Sequence, residues 1–185
     1  MAIALAAGSA IASEPPLEIE GVVFPPTVQV GGQLLHLNGA GLRRRAIFDV
    51  YVAGLYVPQK ASSAAALLAQ TGPRRVAITM LREVEAGAFS EAVSDGLEAN
   101  NSAQQLARLK PQIATLLANL EAIGTAREGD AVYFEFTPGA GTRILVNGQQ
   151  KGSAIPGVEL FTAVLRNWLG EEPVDARLKN ELLGL

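Results

Sequence analysis

At 185 residues, with 49% hydrophobic and 18% charged side chains, the chain is of single-domain size and is neither disordered nor dependent on metals or disulfides for a core. A formal net charge of −3 without any long basic run excludes a general nucleic-acid binder, and the absence of cysteine removes thiolate catalysis, iron–sulfur clusters and cysteine–zinc sites. Aromatics make up only 5%, so the interior must be built from alanine, leucine and valine.

Residues 1–12 form an apolar run ending in Ala10-Ile11-Ala12, which reads as the back half of a secretory signal peptide and points to a periplasmic or secreted product. Its positive n-region is missing, so a start assigned too late, a trimmed leader and a frayed N-terminal segment are the alternatives. Residues 13–20 are a proline-bearing lead-in, and 21–185 read as one domain. No other segment approaches the ~18 apolar residues of a membrane span.

Thr27–Val30 and Gln33–Leu37 flank Gly31-Gly32 as a hairpin. Asn38–Gly41 reads as a second turn, leading through Arg43-Arg44-Arg45 into a strand from Ala46 to Val57. Period-two alternation puts Ala46, Phe48, Val50 and Val52 on one face, and Arg43, Arg45, Asp49 and Tyr51 on the other. Ser63 caps a short helix that stops near Gly72-Pro73, Arg74–Leu81 is a strand, and Phe89, Val93 and Leu97 are spaced as one helix face. Ser102 opens another helix, which Pro111 should kink or restart. Beyond Gly124 come strands over 131–137, 142–146 and 149–155, with Asn147-Gly148 as a hairpin turn. A helix over 158–169 ends at Gly170, and Asp175 caps a last helix over 176–183. The order implies an α+β class with antiparallel hairpins at both ends. Val158, Phe161, Val164 and Leu165 can face either the core or a partner.

Among chemical candidates, His36 is the only histidine and reads as a strand residue on a polar face; a metal site or catalytic triad would have to be built on it alone. The glycines at 39, 41, 139 and 141 are turn formers without the context of a phosphate loop. The pairs Glu83/Glu85 and Glu171/Glu172 read as solvated edges. Arg43 and Tyr51 share a face, but eight residues of straight strand separate them by ~26 Å, so they converge only if the strand bends, bulges or is shortened by a turn. The arginine cluster repels itself unless an anion or hydrogen-bond acceptor meets it; a solvated basic turn is the plain alternative.

Gly21-Val-Val-Phe-Pro-Pro26, Leu37-Asn-Gly-Ala-Gly-Leu-Arg43, Val50-Tyr-Val-Ala-Gly-Leu-Tyr-Val57 and Asn167-Trp-Leu-Gly-Glu-Glu-Pro-Val-Asp175, followed by Leu178-Lys179, resemble in order the bacterial chalcone isomerase-like proteins. The resemblance implies an open-faced β-sandwich, an antiparallel sheet covered on one side by helices, with a ligand cleft between the layers. In the plant enzymes, closure of a flavanone ring needs no cofactor, and an arginine matching Arg43 polarises the substrate carbonyl. Tyr51 stands where those enzymes carry a threonine, and resembles instead the fatty-acid-binding members, in which Arg and Tyr grip a carboxylate. Phe89, Ala92 and Gly96 replace the tyrosine, lysine and asparagine of the true isomerases. The resemblance therefore implies a ligand site of Arg43, Tyr51, Phe89 and Asn167, without metal or cofactor, for a small amphipathic fatty or phenolic acid. The alternatives are an isomerase (intramolecular lyase) that uses Arg43 as its catalytic residue, and a structural or partner-binding module.

Overall fold

A computed structural model describes residues 14–185; the leader-like run lies outside the described residues. The chain begins with a small hairpin, β1 (Leu17–Ile19) and β2 (Val22–Phe24), and continues into β3 (Thr27–Val30), β4 (Gln33–Arg45), β5 (Phe48–Val57), α1 (Ala64–Leu68) and β6 (Arg74–Met80). A short strand β7 (Val84–Glu85) leads into the helices α2 (Ala86–Asn100) and α3 (Ala103–Glu121), and β8 (Thr125–Ala126) pairs back with β7. Then come β9 (Ala131–Thr137), β10 (Gly141–Val146), β11 (Gln149–Ile155), α4 (Val158–Leu169) and α5 (Ala176–Leu182).

Seven strands form one antiparallel sheet in the order β11-β10-β9-β6-β5-β4-β3, and helices cover one of its faces, the arrangement expected from the motifs. Alternation along the strands sorts the side chains. Val76, Ile78, Val132, Phe134 and Ile144 point under the helices, where they meet Leu97, Leu116, Leu120 and the buried side of α4. Phe161, Val164 and Leu165 are all buried there and Val158 is partly buried against the same cluster, which settles the open choice for that helix in favour of the core. The opposite face carries a smaller cluster in which Phe24 of β2 packs with Leu35, Leu37, Val52 and Tyr56.

Local signals behave as their chemistry dictates. Ser102 caps α3 in a reciprocal box with Gln105, Asp175 accepts from the amides of Arg177 and Leu178 to cap α5, and Asn147 and Gly148 take positive φ in the β10–β11 turn. Pro111 does not restart α3, which is continuous across it. Both Pro111 and Ala107, whose carbonyl the proline leaves without its helical donor, are exposed, so water serves that acceptor.

Two expectations fail around the glycine motif. Asn38–Gly41 is not a turn but the middle of β4, bulged at Asn38, and the chain reverses instead at Ala46-Ile47, where Ala46 adopts φ 54°. The glycines serve close approach: a Cβ at Gly39 would overlap the backbone carbonyls of Glu181 and Leu182, because α5 lies directly on β4. Asn38 donates to the Leu182 carbonyl at 2.7 Å, and the Leu42 amide donates to Glu181 Oε2 at 3.1 Å, completing the seam. Gly39→Val is expected to lift α5 off the strand and cost about 2–3 kcal/mol, read as a lower denaturation midpoint and earlier proteolysis of the C-terminal segment.

Candidate functional site

The reversal at Ala46-Ile47 resolves the distance problem posed by the sequence. β4 and β5 form a hairpin in which Arg43 pairs directly with Tyr51, and a register shift follows between Arg43 and Arg44, leaving Val50 as the extra residue. A bulge of this kind turns two successive side chains toward the same side, so Val50 and Tyr51 both face the space beneath the helices.

The three arginines are thereby separated. Arg44 pairs with Asp49 at 2.6 Å, which raises its pKa and lowers that of Asp49, and Arg45 is exposed at the rim. Arg43 is half-buried, with its guanidinium carbon 5.5 Å from the centroid of the Tyr51 ring. No carboxylate among the described residues pairs with it, and its Nε is buried without an acceptor.

Tyr51 is buried, and its hydroxyl accepts a hydrogen bond from Trp168 Nε1 at 2.9 Å. The phenolic proton remains free to donate, since no acceptor among the described residues takes it. Burial pushes the Tyr51 pKa upward, opposed by the Arg43 charge and the Trp168 bond, so the group is a neutral donor at physiological pH. Burial likewise raises Tyr56, whose hydroxyl donates to the Pro25 carbonyl, to about 12. Both phenols ionise more easily in the unfolded chain, near the ordinary value of 10. Their stabilising contribution is therefore complete below that pH and lost as pH rises through the folded values. Absorbance at 295 nm and circular dichroism are expected to show alkaline unfolding coupled to tyrosine ionisation above pH ~10, with a shallower slope in Tyr51→Phe.

Around this pair lies a cleft of about 500 Å³, with Phe48, Val50, Met80, Val84 and Phe89 as its apolar walls. That volume is within the usual range for small-molecule sites. Its rim is charged: Arg82 stacks on Phe48 with 4.4 Å from guanidinium carbon to ring centroid, and Arg45, Glu83 and Glu85 complete it. A second recess of about 420 Å³ shares Arg43, Arg45, Ala88 and Ala92 but is lined by Glu91, Asp95 and Glu172. An anionic head group is therefore favoured on the Tyr51 side of Arg43 and repelled from the other side.

Of the residues named from sequence, Arg43, Tyr51 and Phe89 meet at the cleft, and Ala92 lies in its wall. Asn167 does not reach it. That side chain is buried between α4 and α2, donating to the Val93 carbonyl at 3.1 Å while its Oδ1 has no partner. Gly96 is the counterpart of this packing, because a Cβ there would come within 2.6 Å of the Asn167 amide carbon. His36 is half-buried in β4 between Thr27 and Val57, away from the cleft. Among the described residues no group of three or more His, Asp or Glu is placed to hold a metal ion, and no helix is long and apolar enough to cross a membrane. Sequence alone does not place Trp168, Arg82 and Val50 at the site. Trp168, the chain's only tryptophan, and Val50 stand within the family-like motifs, beside Asn167 and Tyr51 respectively, whereas Arg82 carries no such signal.

A family model described as chalcone isomerase-like matches residues 16–184. No curated protein sequence matches the chain significantly. Among solved structures, the crystal structure of a fatty-acid binding protein from Arabidopsis thaliana superposes with a TM-score of 0.68 at 16% identity, covering 91% of this chain and 96% of that one. At that identity the likeness carries the architecture.

Proposed function

From a chain that belongs to the chalcone isomerase-like family, with Arg43 and Tyr51 paired in the wall of an apolar cleft, we propose a binding protein for a small amphipathic monocarboxylate such as a fatty acid or phenolic acid. One observation carries the reading: Arg43 is half-buried against the Tyr51 ring with its Nε unmatched, yet no carboxylate of the described chain answers it. A carboxylate at that point receives charge-assisted hydrogen bonds from Arg43 and a further one from Tyr51. Its hydrocarbon or ring then lies against Phe48, Val50, Met80 and Phe89. The structural likeness to a fatty-acid binding protein supports this choice of ligand class.

Phe89 and Ala92 offer neither a proton nor a charge where the resemblance places a tyrosine and a lysine, which supports binding over ring closure. The leader-like run over residues 1–12 supports an exported setting, which fractionation of cells carrying the tagged full chain tests directly. The reading itself is tested by purifying the protein under native conditions, extracting it with organic solvent and analysing the extract by mass spectrometry. A long-chain or aromatic carboxylic acid at near-stoichiometric yield is the expected result. An empty extract, together with no displacement of a fluorescent fatty-acid analogue and turnover of a chalcone by the purified protein, reverses it in favour of the enzyme.

A further inference from the structure

A second arginine is more deeply enclosed than Arg43. Arg74 opens β6 on the helical face, is 0% exposed, and has no hydrogen-bond partner for Nε, Nη1 or Nη2. Its guanidinium carbon lies 5.0 Å from the ring centroid of Phe161 and 5.6 Å from that of Phe136. No carboxylate of the described residues is within ion-pair distance. Burial pushes its pKa down to about 10, which still leaves it charged at neutral pH. Aromatic faces supply part of the compensation such a charge needs but no acceptor for its five N–H groups.

The surroundings point the same way. Arg74, Phe136 and Thr142 follow one another across β6, β9 and β10, and the Thr142 hydroxyl is also fully buried without a partner. Phe161 belongs to the first turns of α4, whose N-terminus has no side-chain cap. The positive end of the α4 dipole thus lies within a turn of the ring that the guanidinium covers. Glu159, the one carboxylate of that turn, is exposed and turned toward Gly157. Water can satisfy the donors but leaves the buried charge unanswered, whereas a small anion supplies the acceptor and the negative charge together.

We infer that Arg74, Thr142 and the start of α4 enclose a site for a monovalent anion of halide size. It is independent of the cleft: Met80, the β6 residue aligned with the Arg43–Tyr51 pair, lies six residues, or roughly 20 Å of strand, from Arg74. A groove of about 550 Å³ lined by Gly72, Phe136, Gly157 and Val158 shares the Phe136 side chain with this enclosure.

Crystals grown in sodium bromide, with data collected at the bromine edge, test the site on the unmodified protein. The expected map has an anomalous peak within ~3.5 Å of an Arg74 Nη. In parallel, thermal midpoints are measured in sodium chloride against sodium gluconate at constant ionic strength. The wild-type midpoint is expected to rise by about 4 °C per tenfold increase in chloride once the site is saturating. Arg43→Ala should keep this response and Arg74→Met should lose it while remaining folded. Should Arg74→Met fail to fold, the bromide map alone decides. Density for water only at Arg74, or a chloride response equal to that of gluconate, overturns the site and leaves the cleft reading intact.

Discussion

Arg43→Ala is expected to weaken binding of a long-chain monocarboxylate by about 30- to 150-fold, as measured by isothermal titration calorimetry on delipidated protein. The figure corresponds to ~2–3 kcal/mol, the net worth of a forked, charge-assisted contact in a half-desolvated site. Folding stability should stay level or rise slightly, since Arg43 has no carboxylate partner among the described residues and holds a buried Nε without an acceptor. Loss of affinity without loss of stability separates a ligand-directed arginine from a structural one. Arg43→Lys should recover only part of the affinity, because an ammonium keeps the charge and loses the planar fork.

The opposite face of the sheet gives the largest expected effect on stability. Tyr56, Arg75, Glu135 and Arg143 form one cross-strand row, in which Glu135 is 3% exposed and its carboxylate bridges both arginines. Arg75 Nε donates to Oε1 at 2.7 Å and Arg143 Nη2 donates to Oε2 at 3.1 Å, while Arg75 also stacks on Tyr133. Removing the shared acceptor strands two cations that the sheet holds side by side. Glu135→Ala should therefore cost about 3 kcal/mol, at the low end for broken buried pairs because both arginines keep some contact with water. For a chain of this size that is a fall of roughly 10 °C in midpoint, with ligand affinity unchanged. The triple replacement of Arg75, Glu135 and Arg143 by apolar residues should be much milder than Glu135→Ala alone, since no unpaired charge remains.

Much of the architecture was legible because its signals are local. The serine and aspartate caps, the Asn147-Gly148 turn and the apolar spacing in α2 and α4 each carry their own physics. The course of the chain from Asn38 to Tyr51 is hidden from the sequence for a single reason. Glycine is read as a turn former, yet Gly39 and Gly41 are small so that α5, more than a hundred residues later in the chain, can lie on the strand. The real reversal at Ala46-Ile47 has no glycine to announce it, so strand alternation puts Arg43 and Tyr51 on one strand, whereas they face each other across two. The quoted C-terminal motif is likewise explained by packing. Asn167 fills the space left by Gly96, the Glu172 backbone is held by Asn100, Lys179 donates to the Gly170 carbonyl, and Asp175 ties α5 to the Arg44 amide. Neither the cross-strand row around Glu135 nor the enclosure of Arg74 has any sequence signature, because each depends on register between strands distant in the chain.

The crystal structure of the delipidated protein recombined with a long-chain carboxylic acid tests the cleft most directly. The expected electron density has the carboxylate within hydrogen-bonding distance of the Arg43 guanidinium and the Tyr51 hydroxyl, with the chain running past Phe48, Val50 and Phe89. A cleft that stays empty at saturating ligand, or a carboxylate placed elsewhere while Arg43 points into solvent, contradicts it.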